Sequence, residues 1–134
     1  MTTTMAMLDT DPSPPLLDKQ LLTRCIDTCL ECAQACTACA DADLGEPTIA
    51  DLVTCTRLNL DCADVCDTTA RVLSRQTGYD RDLTRAVVQA CAQACKACGD
   101  ECDRHADMHE HCRVCAEVCH RCQQVCEEVL AAIG

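Results

Sequence analysis

The stretch CRVCAEVCHRCQQVC, Cys112 to Cys126, carries five cysteines at steps of three, four, three and four. A helix that packs in a bundle places leucine or valine at those steps. The register therefore describes a helix whose core seam is made of thiols. It recurs along the chain. Cys25, Cys29, Cys32, Cys36 and Cys39 are spaced four, three, four, three, and Cys91, Cys95, Cys98 and Cys102 are spaced four, three, four. Cys55, Cys62 and Cys66 form a further row, with Asn59 in the slot where the pattern would place another thiol. Residues three and four apart share a helix face, with Cβ atoms about 5–6 Å apart. At about 1.5 Å rise per residue, the two five-membered rows are each roughly 21 Å long.

The rest of the chain punctuates four such helices. Residues 1–15 read as a flexible leader ending at Pro14 and Pro15, which suit the first turn of a helix. That helix is expected from about Leu16 to Leu44, stopping at Gly45. Pro47 opens a second, ending near Gln76 before Gly78. Asp80 caps a third, with Leu83, Val87, Val88 and Cys91 at helical spacing, and a fourth runs from about His109 to Ile133. Joints this short make sequential neighbours antiparallel. The expected fold is all-α, an up-down-up-down four-helix bundle over residues 16–134 with a cysteine-lined core.

Seventeen cysteines in 134 residues would mean a disulfide framework in a short secreted chain. Three features argue otherwise. The count is odd, and Gly and Pro number only four each, too few for a loop-rich scaffold. The N-terminal MTTTMAMLDTDPSPP has no basic start, apolar run or twin arginine, so neither an export signal nor a membrane span is expected. A reducing cytoplasm is the expected compartment, where clustered cysteines are more often metal ligands or redox groups. The net charge of −11 disfavours nucleic-acid and anionic-membrane partners. Free cysteine also packs as a small hydrophobe, but as filler beside Leu, Ile and Val a column of seventeen is a weak choice.

Thiolate sulfur is soft and selects Cu(I), zinc or iron–sulfur clusters. Zinc and iron sites take four convergent ligands, commonly from knuckles. The C-x-x-C pairs here interlock with C-x-x-x-C pairs along unbroken helices, a seam rather than knuckles. Cu(I) accepts two or three sulfurs, which neighbouring thiols supply anywhere along the column. Charge agrees: four thiolates around one zinc leave two negative charges, whereas one Cu(I) per thiolate leaves a buried column neutral. The expected cargo is multiple Cu(I) ions, near one per cysteine.

The two ends of the bundle differ. Leu21, Leu22, Val72, Leu73, Leu83 to Val88 and Val129 to Ile133 should form a hydrocarbon plug. The opposite end gathers Cys39, Cys102 and the joint CDRHADMHEHC, where His105 and His109 continue the cysteine phase after Cys102. Met108 continues the last row backwards, His111 sits beside Cys112, and His120 falls off the seam. Imidazole and thioether suit Cu(I), so His105, His109, His111 and Met108 are candidate ligands at a mouth. No nucleophile–base–orienter constellation or cofactor loop marks an enzyme. The alternatives are a thiol redox protein using its C-x-x-C pairs, for which only Cys112 and Cys115 lie near a helix N-terminus, and a zinc or iron–sulfur protein.

Four cysteine-seamed helices together with CDRHADMHEHCRVCAEVCHRC resemble the bacterial copper storage proteins, in their cytosolic branch, from about Leu16 onward. The resemblance implies a four-helix bundle that binds many Cu(I) ions through core thiolates and assembles as a homotetramer. It implies that the cysteines from Cys25 to Cys126 are core ligands and that His105, His109 and His111 serve the loading end. Copper chaperones or efflux regulators are the candidate protein partners.

Overall fold

The computed structural model describes residues 2–134. Five α-helices and one 3-10 turn account for most of it: α1 (Thr3–Thr10), α2 (Lys19–Leu44), the turn Ile49–Leu52, α3 (Val53–Leu73), α4 (Arg81–His105) and α5 (Glu110–Ile133). Among the described residues there is no strand, and no helix is long and apolar enough to cross a membrane.

Helices α2 to α5 form the expected antiparallel bundle. α2 packs against α3 and α5, and α4 packs against the same two, so α2/α4 and α3/α5 stand on the diagonals. Across those diagonals it is side chains that meet. Cys29 of α2 reaches Cys91 of α4 at 3.8 Å, and Cys36 reaches Cys98 at 3.9 Å between sulfurs. Between α3 and α5, Cys115 Sγ lies 3.2 Å from Asn59 Oδ1.

Local chemistry sets the helix ends, and some differ from the sequence expectation. α2 begins at Lys19 rather than near Leu16, because the Asp18 carboxylate accepts from Leu21 N–H at 2.9 Å and caps the first turn. Leu16 is left 80% exposed. Pro47 does not open α3: i+3 bonds to Ile49 and Asp51 wind a 3-10 turn first, and the helix starts at Val53. α3 stops at Leu73, not near Gln76. Ser74 Oγ donates to the Ala70 carbonyl and Gln76 Nε2 to the Leu73 carbonyl, both at 2.7 Å, which satisfies the orphan acceptors of the last turn. Asp80 caps α4 as expected, accepting from Leu83 N–H at 3.0 Å.

The stretch read as a flexible leader differs most. Thr3–Thr10 is helical, capped by the Thr2 hydroxyl, and its Leu8 is buried in the core cluster beside the bundle. Thr4 donates to Asp27, and Lys19 pairs with Asp9 at 2.9 Å. Eight residues are too few to hold a helix alone, so docking on α2 supplies the order. Met1 lies outside the described residues.

One end of the bundle is the expected hydrocarbon plug. Leu22, Leu73, Val88 and Val129 are at most 2% exposed, each contributing about 1.5–3 kcal/mol by leaving water. Leu83 does not join it; it faces solvent at 51% exposure.

Candidate metal centre

All seventeen cysteines are free thiols, and none is more than 2% exposed. Heptad-like register on four helices turns them inward, so the structure brings every cysteine of the sequence rows into one column. Sulfurs sit 3.6–4.0 Å from their neighbours, as in Cys66–Cys95, Cys36–Cys119 and Cys39–Cys112.

The thiols are layered in fours. From the plug towards the mouth the layers are Cys29/Cys91/Cys122/Cys126, Cys32/Cys66/Cys95/Cys122, Cys32/Cys36/Cys62/Cys119 and Cys36/Cys98/Cys115/Cys119, with the sulfurs of each layer within 4.8 Å of one another. Successive layers share members: Cys122, then Cys32, then Cys36 with Cys119. Four thiolates taken by one zinc would leave its neighbours incomplete, so this arrangement fits bridging sulfurs better than separate tetrahedral sites.

Asn59 occupies its seam slot fully buried, and the thiols around it satisfy its amide. Its Oδ1 accepts from Cys98 at 3.0 Å, Cys115 at 3.2 Å and Cys102 at 3.7 Å, while Nδ2 donates to Cys55 Sγ at 3.5 Å. Cys55 and Cys102 lie 3.8 Å apart on the mouth side.

At the mouth the candidate residues separate. His111 Nδ1 lies 3.4 Å from Cys39 Sγ and 3.6 Å from Cys112 Sγ, so this histidine joins the column. His105 and His109 are instead held by carboxylates, His105 Nε2 by Glu101 and His109 Nδ1 by Glu46, each at 2.8 Å. Met108 is 75% exposed and is not gathered with them. His120 is off the seam as expected: its Nε2 bonds Asp103 at 2.7 Å on the surface.

Sequence reasoning missed three acidic residues. Asp43 is fully buried in a group with Cys39, His111 and Cys112. Thr56 donates to its Oδ2 at 3.1 Å, and burial, followed by the neighbouring Cys55, pushes its carboxyl up to about 6. The signal was available, since Asp43 falls four residues after Cys39 and continues the α2 row. Glu46 and Glu101 carried no such signal. Burial also raises the Cys112 thiol, to about 12, with Cys55 and Asp43 adding to the effect.

A four-helix bundle whose core is a continuous column of free thiols, with an imidazole and carboxylates at one end only, is a protein built to hold many soft metal ions. Residues 18–131 match the family model described as copper storage protein, and the chain belongs to that family. A structure of the copper storage protein Ccsp from Streptomyces lividans, loaded with 10 copper equivalents, is 62% identical with a TM-score of 0.95, covering 97% of this chain and 99% of that one. The copper-free copper storage protein 3 from Bacillus subtilis is 32% identical with a TM-score of 0.66, covering 80% and 96%. The cysteine-rich protein YhjQ of Bacillus subtilis (strain 168) is 34% identical over 59 residues, which are 44% of this chain and 55% of that protein's length.

Proposed function

We propose that this chain is a high-capacity store for Cu(I) and thereby lowers free copper. The observation that carries the reading is the sharing of thiols between successive layers, which lets the sulfurs of Cys122, Cys32, Cys36 and Cys119 each bridge two ions along the column. Burial adds the charge argument. Unpaired charge in a low-dielectric core is costly, so the resting column is mostly thiol, and each Cu(I) that replaces a proton leaves it neutral. The seventeen cysteines are the proposed core ligands, with His111 as a ligand at the mouth. His105 and His109 flank the path of incoming ions, and Met108 could serve only outside the column.

The proposal includes a storage role without catalysis, a cytosolic location and assembly as a homotetramer. The Streptomyces lividans relative, described as cytosolic, supports the location. Exchange with copper chaperones or efflux regulators belongs to the same reading.

A Cu(I) titration of the reduced protein beside a zinc titration tests it. Saturation near one Cu(I) per cysteine is the expected result. Uptake that stops at about four ions with tetrahedral Zn–S₄ character would support the zinc reading instead.

A further inference from the structure

The two ring nitrogens of His111 face two different chemistries. Nδ1 faces the sulfurs of Cys39 and Cys112, at 3.4 and 3.6 Å, with Asp43 Oδ1 at 3.8 Å. Nε2 points the other way. It is buried without a hydrogen-bond partner and lies 3.6 Å from Glu46 Oε1. The second oxygen of Glu46 meets His109 Nδ1 at 2.8 Å, and the two imidazole rings stack with centroids 5.5 Å apart. Outside the thiol column, two imidazoles and a carboxylate therefore converge with no sulfur among them.

That donor set suits a borderline divalent ion rather than Cu(I). Two nitrogens and a carboxylate oxygen are the three-ligand set of open zinc sites, with water in the fourth position. Ligand atoms about 2.0–2.1 Å from a tetrahedral ion lie roughly 3.3 Å apart. His111 Nε2 stands 3.6 Å from Glu46 Oε1 and His109 Nδ1 2.8 Å from Oε2, so a single Glu46 oxygen would join both nitrogens around one ion once the carboxylate turns.

We propose that His109, His111 and Glu46 form a site for a borderline divalent cation such as zinc, distinct from the thiol column, and that its occupant competes with Cu(I) for His111. The competition follows from the single lone pair of a neutral imidazole. When Nε2 binds the divalent ion, Nδ1 keeps its proton and donates towards Asp43 and the thiols. When Cu(I) takes Nδ1, the proton sits on Nε2 and faces Glu46. One neutral ring cannot serve both ions. The site stands on its own geometry, and the competition rests on the storage reading above.

Zinc also binds free thiols, so the first test uses Co(II) on a Cys39→Ser/Cys112→Ser variant whose remaining thiols have been filled with Cu(I). The copper uptake recorded in that filling step reports on storage separately, so failure of one reading is distinguishable from failure of the other. The expected result is one Co(II) per chain with d–d bands and no sulfur-to-cobalt charge-transfer band. Adding Glu46→Gln or His109→Ala should each weaken it by more than the roughly 10–100-fold that loss of an outer-shell partner costs. Glu46→Gln keeps a hydrogen-bonding amide in a loop, so it remains informative if His109→Ala disturbs the start of α5. In the parent protein, excess zinc added after the column is nearly full should slow uptake of the last Cu(I) ions, and Glu46→Gln should remove that effect. No Co(II) uptake, uptake with a sulfur charge-transfer band, or uptake unchanged in both variants would overturn the site. Copper uptake indifferent to zinc would overturn the competition.

Discussion

His111 and Met108 stand three residues apart in the sequence, yet their surroundings predict opposite behaviour. His111 touches two column sulfurs through Nδ1, whereas Met108 is mostly in solvent. His111→Ala should slow Cu(I) loading, or its removal by a chelator, by about an order of magnitude, while total capacity stays nearly intact. Met108→Ala should leave both unchanged. Stopped-flow loading with a chromophoric chelator measures the two rates, and equal rates for His111→Ala and the parent would show that copper passes elsewhere. Within the column the pattern reverses. Cys62, Cys95 and Cys119 belong to the inner layers, and replacing all three with Ser should lower capacity by about three ions if each thiolate holds one Cu(I). Unchanged capacity would refute one-per-thiolate filling.

Between elements, α4 and α5 approach closely where Gly99 faces His120. A Cβ at position 99 would lie 2.7 Å from His120 Cε1, so the ring would have to swing out and strain its bond to Asp103. Alanine normally gains about 1 kcal/mol over glycine inside a helix, and overpacking costs about 1–3 kcal/mol. Gly99→Ala is therefore expected to be neutral to destabilising alone, and stabilising by about 1 kcal/mol in a His120→Ala background. Denaturant unfolding of the four metal-free proteins of this cycle checks the sign. A second test concerns α1, whose only buried anchor is Leu8. Leu8→Ala should weaken docking by about 2–3 kcal/mol and speed proteolytic cleavage between residues 2 and 18, with the bundle intact. Cleavage at the parent rate would mean that α1 is not held by this contact.

For the whole molecule, the column and the plug make separate contributions. Buried thiols pack as small hydrophobes, and Leu22, Leu73, Val88 and Val129 close one end. The metal-free, reduced protein should therefore be helical by circular dichroism and melt cooperatively. A coil spectrum that becomes helical only with copper would contradict this. Since the resting column is mostly thiol, loading should release protons approaching one per Cu(I) bound, as binding of a metal by thiols requires. A pH indicator in weak buffer reads that release directly. Release far below one per ion would mean that the column rests as thiolates.

Four cysteine rows at steps of three and four were enough by themselves to determine the helices, their inward faces and the soft-metal chemistry of the core. Those properties are local: the period of a helix is set by neighbours three and four residues away, and each row repeats it. Even Asp43 was implicit in that period, one step beyond Cys39. The docked α1 was not legible, because its eight residues gain their order from the α2 surface and not from their own pattern. Nor were the mouth contacts. Glu46 comes from the joint after α2, Glu101 from α4 and His109 and His111 from the start of α5, and their separation along the chain says nothing about distance in space. In the sequence His105 and His109 continue the phase of the α4 cysteines, Met108 continues the α5 row backwards and His111 merely adjoins Cys112, so the phase pointed away from the one histidine that meets the column. Tertiary packing divided these four residues, turning one nitrogen of His111 towards sulfur and the other towards Glu46, holding His105 and His109 on carboxylates and leaving Met108 in water, because the carboxylates of Glu46 and Glu101 compete with the column for the imidazoles.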